Sequence, residues 1–345
     1  MADATMSDQV ASVVRRAEEL EASGELRQAI ELLSAANRHE QDAELECALV
    51  RLRRAGGRVR VGPPASAPAP LETLPADGRL FEIGSRDLSV ATVREGLARS
   101  GCVLVRGLVP PDRAARLAAG LDASLGAYDI ATHGDGVADP AWYSPGPMPD
   151  REGSNMPEAL HRAILRGRGA LWTLDSPRML FELFELVDDV GLGELMTELL
   201  GERPLMSGIK GTLRRVPTDI DVDGRWHQDG AFLGERIGAL NIWIALTPCG
   251  RDAPGLEVVP KRIDHVVADP DAKFEWSLSE PAVLEAANGT PIARPEFEAG
   301  DAMLFDHLLV HRTSVAPAMT RQRYAIESWF FAPSAYPEGQ LPVLY

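Results

Sequence analysis

His227 and Asp229 stand two residues apart in the run WHQDG, residues 226–230. In an extended strand, residues two apart project to the same side, so this imidazole and this carboxylate can face one point. Both are donors for a first-row metal. With one more histidine they complete a two-histidine, one-carboxylate facial triad, which leaves positions open for substrate and dioxygen. The tripeptide alone is a weak signal, common by chance, and His311 strengthens it. That residue closes the run GDAMLFDHLLVH, 300–311, after an expected strand, and strands remote in sequence become neighbours when sheets pack. Arg323 opens RYAIESWFF, 323–331, with Arg321 two positions earlier as its rival. A guanidinium grips a carboxylate through two parallel hydrogen bonds, as a bound dicarboxylate would require.

Other polar residues weigh less. Lys210, Arg214 and Arg215 lie in MSGIKGTLRRV, 206–216, which reads as one strand. Charge on such a strand faces solvent by default, with Lys210 the residue placed to face a pocket and help hold an acidic ligand. His307, four residues before His311, shares its strand parity. The run HRTS and the arginine strand after it favour His311 as the ligand and leave His307 structural. His265 belongs to a loop, His133 and His161 lie in or near a long loop, and His39 lies in an exposed helical region. Trp226 and Trp243 read as packing residues.

The elements that must hold these groups are mainly strands. MSGIKGTLRRV, ALNIWIALTPC, GLEVVP, DAMLFDH and RYAIESWFF are separated by Gly, Pro and Asp turn signals, the pattern of a sandwich or jelly roll. Ahead of them, LSVATVREGLARSG and PPDRAARLAAGLDASLG read as helices flanking the strand CVLVRGLV. Residues 127–157 are rich in Gly, Pro and Asp and lack periodicity, as a lid or binding loop does. Residues 1–56 read as helices with apolar stripes, part of a tetratricopeptide-like hairpin. So short a repeat cannot bury its own face and must dock on the chain, a second copy or another protein. A Pro/Ala-rich linker spans 57–78, and the remaining domain spans 79–345. The expected fold is therefore mainly β with flanking helices, plus a small N-terminal α-helical region.

At 345 residues, 45% hydrophobic and 25% charged, the chain can bury a large core. Its net charge of −16 argues against nucleic acid as a partner. The three cysteines form no CxxC pair or dense even set, and the first residues lack the basic start and apolar core of a signal peptide. No apolar run approaches the roughly 18 residues of a membrane span. A cytoplasmic location is expected, with no membrane partner.

With these motifs the chain resembles the phytanoyl-CoA dioxygenase family of Fe(II)/2-oxoglutarate oxygenases from about Leu80 to Phe331. WHQDG, APGLEVVPKRIDH, GDAMLFDHLLVHRTS and RYAIESWF carry the resemblance together. It implies a double-stranded β-helix core of the jelly-roll or cupin kind, with His227, Asp229 and His311 on Fe(II). Arg323 would hold the far carboxylate of the cosubstrate 2-oxoglutarate, and Thr313 would add a hydroxyl hydrogen bond to it. Asn241 would reach the near carboxylate or keto region, and Lys210 would join the cosubstrate site. Two departures from the family pattern stand out. Arg323 lies one residue further from His311 than expected, and VPKRIDH is a loose form of the usual glycine-containing turn. The implied reaction consumes O2, releases succinate and CO2, and hydroxylates an unactivated C–H bond of a small molecule, a natural product or amino-acid derivative. Halogenation needs a vacant ligand position, which Asp229 fills. Rival readings are a zinc or manganese jelly-roll enzyme, separated by metal content and succinate release, and a catalytically silent binding scaffold. The N-terminal helices lie outside the resemblance and are left for a protein partner or a homodimer.

Overall fold

The computed structural model describes residues 2–60, 73–134, 136–147, 157–218 and 224–345. In chain order the elements begin with three helices, α1 (Ala2–Ala22), α2 (Leu26–His39) and α3 (Ala43–Arg60). Then come β1 (Glu82–Gly84), α4 (Val90–Ser100), β2 (Cys102–Arg106), α5 (Pro111–His133), α6 (Glu158–Gly167), β3 (Ala170–Trp172), α7 (Pro177–Asp189) and α8 (Leu192–Leu200). The strand-rich half holds β4 (Leu205–Ser207), β5 (Thr212–Val216), β6 (Trp226–His227), α9 (Gly230–Leu233), β7 (Ala239–Ala245), β8 (Gly255–Val258) and β9 (Ser277–Leu278). It closes with α10 (Glu280–Ala287), β10 (Ala302–Phe305), β11 (His311–Ser314), β12 (Arg323–Phe331) and β13 (Pro342–Leu344).

Two sheets face each other, as expected for a double-stranded β-helix. The larger runs β1-β2-β10-β7-β12-β4-β13, with β5 also on β12 and β3 on β5; the smaller runs β8-β11-β6-β9. Strand β7 is buried along its whole length because both of its faces are covered. Leu240, Ile242 and Ile244 pack with Val103, Val105, Ile326 and Phe330 on the side covered by α4, α5, α7 and α8. Trp243 and Ala245 join Met303, Phe305, Ala325, Trp329 and Phe331 on the inner side, where Leu256 and Val258 of the small sheet meet them. Alternation along β12 therefore sends Arg323 and Glu327 inward with Ala325 and Trp329.

The N-terminal helices form their own apolar cluster, including Leu20, Ile30, Leu33, Leu45 and Leu49, and Phe181 of α7 and Leu344 of β13 complete it. Arg38 adds a two-pronged ion pair to Glu185 at 2.5 and 2.8 Å, and buried Glu46 accepts from Arg178 at 2.8 Å. Helix α3 runs through Gly56-Gly57 to Arg60, past the 57–78 linker's expected start. Glycine permits this because α3 lies flush on β13: a Cβ on Gly57 would stand 2.2 Å from the Pro342 carbonyl oxygen. Residues 61–72 of the expected linker lie outside the described residues. The expected loop 127–157 also starts later, since α5 continues to His133; positions 135 and 148–156 are likewise outside.

Candidate metal centre

Strand pairing creates the centre. His311 and His227 are directly opposite in the antiparallel β11–β6 pair, and their ring centres are 4.3 Å apart. Asp229 arrives differently from the extended alternation expected of WHQDG. The strand stops at His227, and Asp229 takes helical backbone angles, φ −63° and ψ −24°, as the N-cap of the one-turn α9. That turn swings its carboxylate to the histidines, so the three donor atoms lie within 4.8 Å of one another. One Asp229 carboxylate oxygen, Oδ2, is buried with no hydrogen-bond partner and sits 3.7 Å from His311 Nε2.

Hydrogen bonds fix which ring atoms face inward. His227 Nδ1 is 2.8 Å from the Arg225 carbonyl oxygen, and His311 Nδ1 is 3.1 Å from that of Leu309. Each carbonyl can only accept, so each Nδ1 carries the proton and each Nε2 presents a lone pair. Backbone carbonyls orient metal-binding histidines in this way. Burial, reinforced by neighbouring His311, lowers the His227 pKa to about 4, which keeps its ring neutral. For Asp229, burial raises the carboxyl, but Lys210 and the two histidines outweigh it and hold the group below its ordinary value. Two imidazoles and one carboxylate with an orphaned buried oxygen fit a divalent first-row metal.

Lys210 is displaced from its expected setting. The run read as one strand is two, β4 and β5, joined by a turn that carries Lys210. Its Nζ lies 3.4 Å from Asp229 Oδ1 and 3.7 Å from the centre of the Phe232 ring. Arg214 faces inward from β5 rather than to solvent: it lies 3.6 Å from Glu327, and its Nε is buried without a partner. Asn241 is fully buried on β7, donating to Glu327 at 3.4 Å, and its Oδ1 is unpartnered.

Arg323 is fully buried, whereas Arg321 is exposed outside the strand. The Arg323 guanidinium donates to the Gly255 carbonyl at 3.0 Å, yet its Nε has no partner. Burial, with repulsion from Arg214 adding to it, lowers its pKa to about 10, so it stays charged at neutral pH. Gly255 is opposite Ser314, and Thr313 is two residues from His311 on the same side of β11. Arg323 therefore sits about three strand residues from the triad, roughly 10 Å at the usual rise.

The other histidines stay apart from the centre. His307 is buried with its Nε2 2.9 Å from the Glu235 carbonyl oxygen. His265 and His133 are exposed. Sequence reading missed Gln228, between the two ligands. Its amide donates to the His265 and Leu308 carbonyls at 3.0 and 2.7 Å and accepts from Val267 N at 2.7 Å. The metal motif is thereby clamped to the 259–278 connection, a contact that no local pattern announces.

The sequence model described as phytanoyl-CoA dioxygenase matches residues 97–315, and the chain belongs to that family. Solved structures with a similar fold include AviO1 from Streptomyces viridochromogenes, at 20% identity and a TM-score of 0.45, covering 72% of this chain and 98% of that one. EctD from S. alaskensis, solved with 2-oxoglutarate and 5-hydroxyectoine, gives 18% identity and a TM-score of 0.48, covering 77% and 85%. SnoK, a non-heme alpha ketoglutarate dependent carbocyclase from nogalamycin biosynthesis, gives 15% and 0.46, covering 76% and 99%. No curated protein sequence matches the chain. Among the described residues no helix is long and apolar enough to cross a membrane.

Proposed function

We propose that the protein is an Fe(II)- and 2-oxoglutarate-dependent oxygenase that hydroxylates a C–H bond of a small molecule. The observation that carries this reading is a three-donor set and a buried, partly unpartnered arginine inside one barrel. His227, Asp229 and His311 hold the iron, and Arg323 holds the far carboxylate of 2-oxoglutarate. Thr313 supplies a hydroxyl to that carboxylate, and Asn241 its side-chain amide near the other end. Lys210 neutralises Asp229 and borders the same space.

When bound, iron and 2-oxoglutarate together supply activation of dioxygen, with succinate and CO2 as by-products. The protein's residues set the stage. The Arg225 and Leu309 carbonyls keep the Nδ1 protons in place and the Nε2 atoms aimed at the metal. Arg323 orients the cosubstrate through charge-assisted hydrogen bonds in a setting shielded from water. Trp243, Phe305 and Trp329 pack around these polar groups on the inner side and shield them from solvent, which limits loss of oxidising power.

Anaerobic loading with Fe(II) and 2-oxoglutarate, followed by exposure to air, tests the reading. One equivalent of iron and slow succinate release are expected, lost together in His227→Ala and His311→Ala. Iron-free protein, or a chain that binds zinc and releases no succinate, overturns it. With a substrate in hand, a product heavier by one oxygen supports hydroxylation. A product lacking two hydrogens keeps the class and overturns the hydroxylase assignment.

A further inference from the structure

Three large aromatic side chains, Phe232, Phe274 and Trp276, are 39%, 43% and 38% exposed; two of them meet the metal ligand His227, and Phe274 packs on Trp276. The Phe232 ring lies 6.4 Å from the His227 ring at 25°, and Trp276 meets His227 edge-on at 6.0 Å. Phe274 and Trp276 lie parallel, 5.5 Å apart at 8°, one stacked on the other. Burying such a side chain stabilises a fold by about 1.5–3 kcal/mol, so leaving three together in water marks a binding surface.

The wall is built onto the metal motif. Strand β9 pairs beside β6, with Ser277 opposite His227. Ser277 Oγ accepts from Phe274 N at 3.1 Å and donates to the Phe274 carbonyl at 3.0 Å, fixing the turn that presents Phe274 and Trp276. Phe232 rides on α9, where its backbone N–H donates to the Asp229 carbonyl at 3.1 Å. Gln228 anchors the start of the same connection at His265 and Val267. One face of each outer ring already meets a cation: Lys210 sits over Phe232, and Arg225 lies 4.6 Å from the centre of Phe274. Phe274 is also stacked on Trp276, and Phe232 on His227, so a ligand ring is left the Trp276 face turned away from Phe274. A positively charged ligand would be repelled by the neighbouring Lys210 and Arg225, whereas a neutral or anionic π-system stacks there.

We propose that Phe232, Phe274 and Trp276 form the substrate-binding wall, and that the substrate carries a flat, unsaturated ring system without positive charge. This rests on the proposed oxygenase reading, since it places that ring beside the His227 side of the iron. The test is equilibrium dialysis of the full chain, loaded anaerobically with Fe(II) and 2-oxoglutarate, against 2-naphthoate, decahydro-2-naphthoate and 2-naphthylmethylammonium. Bound iron and 2-oxoglutarate are assayed in the same samples. Naphthoate should bind at least 10-fold more tightly than either comparison compound. Trp276→Ala and Phe274→Ala should each weaken it roughly 10-fold, Trp276→Phe should restore most of the affinity, and iron content should stay unchanged. Naphthoate that fails to bind, binds no better than its saturated or cationic counterpart, or ignores both alanine substitutions overturns the proposal while iron and 2-oxoglutarate binding persist. Loss of iron and 2-oxoglutarate from the wild-type chain instead marks failure of the oxygenase reading.

Discussion

Two arginines two residues apart differ entirely in setting, and that difference decides which can matter. Arg323 is buried with an unpartnered Nε inside the barrel, and Arg321 is exposed. Removing a charge-assisted two-pronged contact from a buried site costs about 2–4 kcal/mol. Arg323→Ala should therefore weaken 2-oxoglutarate binding by roughly 30-fold to 1000-fold with iron stoichiometry intact, while Arg321→Ala should leave both unchanged; calorimetric titration reads the two. The histidines make a parallel contrast. His307 bonds the Glu235 carbonyl away from the triad, so His307→Ala should retain iron, whereas His311→Ala should lose it, as metal analysis after desalting shows. At this scale WHQDG and HRTS pointed to residues that the fold brings together, although Asp229 reaches the histidines through a helical turn and not through the expected alternation. The sequence placed Arg214 toward solvent and was silent on Glu327, because inward or outward facing depends on where a turn falls. The turn at Lys210 splits one expected strand into β4 and β5, and a shift of one residue reverses every side chain.

Elements show the same division between local pattern and tertiary contact. Strands β7, β8, β10 and β12 stand where alternating or continuous apolar runs put them, and α4 is capped by Ser89 with a reciprocal Thr92. The Gly56-Gly57 pair reads as a break in sequence, yet α3 continues through it because β13 presses against that face. The contact between α3 and α7 has a pH signature. Burial raises the Glu46 carboxyl above its ordinary 4.5, and Arg178 and Asn37 offset only part of this. A carboxyl raised in the folded state stabilises the fold below the unfolded value and loses that contribution as pH rises through the folded value. Glu46→Gln keeps the shape and hydrogen-bonding capacity but removes the titration. Relative to the parent chain it should be more stable at pH 7 than at pH 4, as urea titrations at the two pH values measure. An equal difference at both would mean that Glu46 is as comfortable charged in the fold as out of it.

Across the whole molecule, every proposed ligand and both sheets lie beyond residue 80, while the first three helices share an apolar cluster with Phe181 and Leu344. The sequence shows those helices as a repeat too short to stand alone, and it does not show which surface they cover, since neither Phe181 nor Leu344 belongs to a recognisable docking motif. The packing on α7 and β13 sets up a prediction about cooperativity. Uncovering Phe181 and Leu344 costs about 1.5–3 kcal/mol each, and a chain cut after α3 also leaves Arg178 without Glu46. A protein starting at Leu74 should therefore melt lower by on the order of 10 °C, while its barrel, with an unchanged inner face, still binds iron. The full chain should melt in a single transition, and a peptide of residues 1–60 added to the shortened protein should recover part of the lost stability. Two separate transitions in the full chain, with the later one unmoved by the truncation, would show instead that the helices fold apart from the barrel. Their striped faces would then be left for a partner or a second copy.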